Sequence, residues 1–149
     1  MTDIYRLVRA ERAEDALSGE GARLYGGRWN PPGTAVVYAS ESRALAVLET
    51  FVHLTLEARS MRFQLWTIRL PSRPRLTRYR GARAPRALES SQDVGREWLA
   101  EGKALALLVP SVLVRQERNY VLNVRHPQFA KIEIGRSEAF SFDERVWRR

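Results

Sequence analysis

Ala35-Val36-Val37-Tyr38-Ala39-Ser40-Glu41-Ser42-Arg43-Ala44-Leu45-Ala46-Val47-Leu48-Glu49-Thr50-Phe51-Val52-His53-Leu54 carries the most legible structure in the chain. Its first five residues are short, β-branched and apolar, which predicts a buried strand. Ser40 stands where a helix N-cap belongs, and Glu41 would complement the dipole of the first turn. From Ser42 to Leu54 the chain is apolar on nearly every side, so the helix reads as a buried one. Upstream, Ile4 to Val8 alternates weakly as an opening strand, and Glu11 to Glu20 suits a short helix or turn. Gly21 to Gly33, rich in Gly, Pro and Asn, reads as a loop. Downstream, Phe63 to Leu70 alternates as a strand, and Ser91 to Glu101 is an amphipathic helix stopped by Gly102, with Trp98 in the core. Ala104 to Val109, Tyr120 to Val124, Ile132 to Ile134 and Ala139 to Phe142 are further strand candidates. This order predicts an α+β fold with a largely antiparallel or mixed sheet.

The 149 residues suffice for one domain with a real core. The absence of cysteine removes disulfides, thiolate nucleophiles, iron–sulfur clusters and zinc ribbons. Met1 to Arg6 lacks a basic region followed by an apolar one, so no secretory signal is expected. The longest apolar run, Ala104 to Pro110, falls well short of the ~20 residues that span a bilayer, which predicts a soluble, cytoplasmic protein without a membrane partner. With 25 Lys plus Arg against 17 Asp plus Glu, the net charge is +8. That charge suits a nucleic acid, a polyanionic small molecule or an acidic protein alike. Seven arginines and no acid lie between Arg69 and Arg86, with prolines at 71, 74 and 85, which predicts an extended basic connection.

Glu49 is the most informative polar residue. A carboxylate amid Leu45 and Val52 is expensive unless it is paired, faces a cleft or tips to solvent, and spacing leaves these open. His53, one turn on, shares its face and could pair with it. Arg28 sits in Gly26-Gly27-Arg28-Trp29-Asn30-Pro31-Pro32-Gly33, where glycines allow close backbone approach and prolines fix the exit. Its guanidinium fork suits phosphate or carboxamide oxygens, although an exposed arginine beside a structural tryptophan would look the same. The loop is neither a phosphate-cradling Walker motif nor a dinucleotide fingerprint. Ser111 follows Pro110 at a strand end without a Gly-x-Ser-x-Gly context, which ordinarily means a turn. His126 has no metal-spaced partner, so no structural metal is expected.

Taken together, Tyr25 to Gly33, Val37 to Ser42 with Leu45 to Glu49, Gly95-Arg96-Glu97-Trp98-Leu99, Leu107 to Ser111, and Asn119 to Pro127 resemble the RES-domain toxins of bacterial toxin–antitoxin pairs. The resemblance spans nearly the whole chain and implies a single RES domain over residues 1–149. The family often has Leu-Asn-Pro ahead of its His-Pro, and here Val124 stands in place of that proline. It implies a fold similar to ADP-ribosyltransferases of the diphtheria-toxin kind. Arg28, Glu49 and Ser111 match the family's Arg, Glu and Ser and would be the catalytic residues. Arg28, Tyr38, Ser111, Trp29, Asn119 and His53 would contact NAD. No permanently bound cofactor is implied, and NAD would be a consumed substrate. The implied protein partner is an Xre-type helix-turn-helix antitoxin that occludes the active site, so DNA would be reached only through it.

Cleaving the nicotinamide–ribose bond leaves an oxocarbenium-like ribosyl cation, which a carboxylate at Glu49 would stabilise. The leading expectation is therefore a growth-arresting NAD glycohydrolase or phosphorylase. An ADP-ribosyltransferase acting on a specific host protein is the alternative, and a basic nucleic-acid-binding module a more distant one.

Overall fold

The computed structural model describes residues 1–148. Seven strands form one mixed sheet: β1 (Asp3–Arg9), β2 (Val36–Ser40), β3 (Phe63–Arg69), β4 (Leu76–Arg78), β5 (Ala106–Pro110), β6 (Arg118–Asn123) and β7 (Glu133–Phe140). Their order is β4-β5-β6-β2-β1-β3-β7, antiparallel throughout except for the parallel pair β4–β5. Among the described residues the α-helices are α1 (Glu20–Tyr25), α2 (Arg43–Phe51) and α3 (Leu88–Glu101). The expected α+β class with a mixed sheet is what the chain adopts.

Strand alternation divides the core. Val37, Ala39, Ala106, Leu108, Tyr120 and Leu122 join Ile4 and Ile68 on one face. Val36, Leu107, Val109 and Val121 turn to the other and pack with Trp29 and with Trp98 of α3. Because both faces are covered, β5 is apolar at every position and buried throughout. A third cluster, Leu7, Ala46, Phe63 and Leu65, seats α2. Among the described residues, no helix is long and apolar enough to cross a membrane.

The sheet has an irregularity next to β1. β1 pairs with β3 over its full length but meets β2 only through Tyr5 and Ser40. The sheet parts between β1 and β2, and a cleft opens there.

The structure corrects several local expectations. Ser40 ends β2 and its hydroxyl bonds Asn119, while Ser42 is the N-cap, accepting from the Leu45 N–H at 3.1 Å. Glu41 lies before the helix and accepts from the Arg118 N–H. Nor is α2 a buried helix: only Leu45 and Ala46 are buried, and Ala44, Leu48 and Val52 face solvent at i, i+4 spacing. The sheet covers one side of α2, and among the described residues the row of Ala44, Leu48 and Val52 on the other is left exposed. Residues 21–25, expected as loop, lie in α1 despite Gly21, supported by a two-pronged Arg23–Glu20 ion pair. The two strands expected at 132–134 and 139–142 are one, β7, an exposed edge strand whose register shifts opposite Trp66 and Ile68. Its solvent-facing residues carry no apolar alternation to read. The basic connection, expected to be extended and not a packed element, is extended, but Leu76–Arg78 within it joins the sheet as β4 because its backbone pairs with the edge of β5.

Candidate active site

The cleft between β1 and β2 has a volume of about 890 Å³ and is bordered by all the expected contacts except Ser111, which lies behind Glu49. Glu49 reaches it from the last turns of α2. Its Oε1 accepts two hydrogen bonds, from Ser111 Oγ at 2.6 Å and from Asn119 Nδ2 at 2.9 Å. Both donors are themselves fixed. Asn119 Oδ1 accepts from Ser40 Oγ at 2.6 Å, which leaves its amide nitrogen pointing at the carboxylate. Ser111 Oγ accepts from the N–H groups of Leu113 and Val114 at 3.1 and 3.0 Å. With its lone pairs engaged and its proton directed at Glu49, Ser111 is arranged as a holder and not as a nucleophile. Ser111 comes from the turn after β5 and Asn119 from the start of β6, and Glu49 Oε2 has no protein partner among the described residues.

Opposite stands the Gly26–Gly33 loop. Buried Asn30 braces it from within, donating to the carbonyls of Ala22, Pro31 and Thr34 and accepting from Tyr38 Oη at 2.6 Å. Tyr38 Oη also accepts from the Trp29 N–H at 3.0 Å. Burial pushes the Tyr38 phenol well above its ordinary range, outweighing its loop hydrogen bonds. Only its ring is therefore left for a ligand. Gly27 must be glycine, since a Cβ there would lie 2.7 Å from Tyr38 Oη. Helix α3 clamps the loop from outside: Ser91 Oγ donates to the Arg28 carbonyl at 2.5 Å and Gln92 Nε2 to that of Gly27 at 3.0 Å. The Arg28 side chain borders the cleft and has no protein partner among the described residues.

Trp29 borders the cleft too, but its indole is buried in the core, edge-on to Tyr79 at 5.1 Å. His53 is exposed at the rim and does not pair with Glu49. The helix ends at Phe51, so the i, i+4 geometry that would have joined them is lost.

Arg6 was missed by the sequence reading. Its guanidinium fills the gap between the parting strands, with Nε on the Ala16 carbonyl and an Nη on the Tyr38 carbonyl, each at 2.8 Å. No carboxylate pairs with it among the described residues. Burial pulls its pKa down to about 10, which still leaves it charged near neutrality. The available signal was position: Arg6 alternates with Ile4, which is fully buried, so a charge fell on a core-facing row. Among the described residues no group of three or more His, Asp or Glu is placed to hold a metal.

One wall of the cleft thus offers a carboxylate with one oxygen free, and the others offer two uncompensated guanidinium groups. Such a site can bind an anion-bearing ligand and stabilise a positive charge developing next to it.

The RES domain family model matches residues 3–143. A protein named Toxin Res from Yersinia enterocolitica is 36% identical over 96% of this chain and 98% of its own. A Prs ADP-ribosylating toxin from Sphingobium sp. is 35% identical over 99% of this chain and 98% of its own. Among solved structures, the Mycobacterium tuberculosis MbcT–MbcA toxin–antitoxin complex contains a chain that superposes with a TM-score of 0.76 at 22% identity, covering 94% of this chain and 84% of that one. MbcT is named an NAD(+) phosphorylase, and 46 residues of it are 50% identical to this chain. On the family match and these full-length relatives, the chain belongs to the RES domain family.

Proposed function

We propose that the chain is the toxin of a toxin–antitoxin pair and consumes NAD by breaking its nicotinamide–ribose bond. The observation that carries this reading is Glu49: one carboxylate oxygen is fixed by Ser111 and Asn119, and the other is free in a cleft lined by Arg6 and Arg28. Breakage sends the C1′–N electron pair to the pyridinium nitrogen, which releases neutral nicotinamide and leaves an oxocarbenium ion on the ribose. The Glu49 carboxylate, already oriented, stabilises that cation without reorganising at the moment of reaction. Arg6 and Arg28 neutralise the pyrophosphate, and Tyr38 and His53 border the nucleotide. Trp29 supports the loop from below, and water, phosphate or a protein side chain then attacks C1′.

The names of the relatives support both acceptor classes. MbcT is named a phosphorylase and the Sphingobium protein an ADP-ribosylating toxin. The parting of β1 from β2 around the cleft is consistent with an ADP-ribosyltransferase-like fold over the whole 1–149 domain. An Xre-type antitoxin closing this cleft is the partner reading. It is supported by the toxin–antitoxin complex of the structural neighbour and by exposed Val52, Val112 and Leu113 at the rim. An NAD-consuming toxin that acts on its host's own pool works in the cytoplasm.

Purified protein incubated with NAD, with and without inorganic phosphate, is expected to release nicotinamide together with ADP-ribose or its phosphorylated form. Intact NAD under both conditions and in a cell lysate would contradict the proposal. Arg6→Lys is expected to weaken NAD binding roughly tenfold or more, because an ammonium cannot reproduce the two-carbonyl brace and still face the pyrophosphate. Calorimetric titration in a Glu49→Gln background isolates that binding step.

A further inference from the structure

The arginine-rich connection between β3 and α3 takes no part in the cleft chemistry. Arg73, Arg75, Arg78, Arg80, Arg83 and Arg86 are all exposed, and among the described residues none forms an ion pair. No acid lies between Leu70 and Leu88, so this segment alone has a net charge of +6, against +8 for the whole chain.

From Arg73 to Tyr79 their backbone is fixed. Gln128 clamps it from both sides, its Oε1 accepting from the Arg75 N–H at 2.9 Å and its Nε2 donating to the Arg73 carbonyl at 3.2 Å. The Arg75 carbonyl accepts from the Leu105 N–H at 2.8 Å, and β4 then runs parallel to β5. The Tyr79 N–H donates to the Leu108 carbonyl at 2.9 Å while its ring rests on Trp29. Arg73 holds a φ of 53°, a left-handed conformation that an arginine adopts at a cost. Exposed Lys103, Arg125 and Lys131 extend the positive surface around the same corner, joined to it through His126, whose Nε2 meets the Lys103 carbonyl at 3.3 Å.

This surface is poor in what a protein partner needs. Its exposed large apolar side chains are Leu76 and Leu88, separated along the segment, so no apolar centre forms. It also lacks an exposed aromatic on which single-stranded bases stack, since Tyr79 is partly covered by Trp29. Exposed, unpaired guanidinium groups on a connection anchored to the sheet edge, without base-reading elements, suit the regular phosphates of a duplex.

We propose that residues 73–86 bind the phosphate backbone of double-stranded nucleic acid without reading its sequence. The proposal is independent of the NAD chemistry. Fluorescence anisotropy of a short labelled DNA duplex, titrated with the full chain at rising salt, tests it. Affinity is expected to fall with salt on a log–log slope of about −4 to −5, as for five or so neutralised phosphates. Replacing Arg75, Arg78 and Arg80 together by Ala should weaken low-salt binding by about tenfold or more and flatten the slope by about 3. Nicotinamide release should be unchanged in that variant. Arg83→Ala with Arg86→Ala, outside the sheet, should flatten it by about 2 and gives a reading free of any strand defect. No binding at low salt, a flat salt response, wild-type slopes in both variants, or tighter binding of polyglutamate than of the duplex would overturn the proposal.

Discussion

Glu49→Gln is expected to reduce nicotinamide release by roughly 10²–10³-fold, the usual loss on removing one preorganised charge-stabilising group. The fold should be unaffected, because the variant amide oxygen can still accept from Ser111 Oγ and Asn119 Nδ2 where the carboxylate oxygen now does. What disappears is the negative charge facing the ribosyl cation. Glu49→Asp keeps the charge but withdraws it by one methylene from both donors, so it too should lose most of the activity. Steady-state rates read beside the far-UV dichroism and the melting temperature separate this from a folding defect. A Gln variant with near wild-type turnover would remove the carboxylate from the mechanism.

The largest effect on stability is expected from Gly95→Ala. Gly95 lies in α3 against the loop that presents Arg28, and a Cβ there would stand 1.5 Å from the Trp29 carbonyl oxygen and 2.7 Å from its carbonyl carbon. No rotamer relieves a clash with backbone, so α3 must lift from the loop. That strains the Ser91 and Gln92 hydrogen bonds to Arg28 and Gly27. We expect a loss of about 3 kcal/mol or more, which for a chain of this size lowers the melting temperature by roughly 6–12 °C. The damage should extend to NAD binding, since the Arg28 loop moves with the helix. Gly21→Ala is the matched control: nothing lies within 4 Å of its Cβ, and a helical alanine should be neutral or stabilise by up to about 1 kcal/mol. Thermal melts of the two variants side by side measure the contrast.

The sequence revealed most where burial and period acted together. β2, β5 and β6 could be read because their apolar residues are buried on both faces, and α3 because Trp98 and Gly102 mark its core side and its end. Where an element faces solvent, the pattern that announces it is missing, which is why β7 read as two pieces and α1 as loop. The α2 reading went astray for the opposite reason. Ala44, Leu48 and Val52 are apolar yet exposed, so periodicity overstated the burial of that helix. Of the three, Val52 also borders the cleft.

The candidate site was legible one residue at a time, and its assembly was not. Glu49 stood out as a carboxylate among apolar neighbours, but composition could not say that Ser111 and Asn119, 62 and 70 positions further on, would both bond one of its oxygens. That convergence comes from strand order: placing β6 between β2 and β5 brings Asn119 opposite Ser40 and next to Val109. Arg6 was hidden because its role depends on the separation of β1 from β2, a feature of pairing with no local signature.

NAD is expected to bind in this cleft with its scissile bond at Glu49. A crystal structure of the Glu49→Gln variant with intact NAD tests it most directly. The nicotinamide ribose is expected against residue 49, with C1′ facing the side-chain atom that replaces the free Oε2, and the pyrophosphate between Arg6 and Arg28. NAD bound with its ribose turned away from residue 49, or held on the exposed arginines of β4 instead of in the cleft, would contradict it.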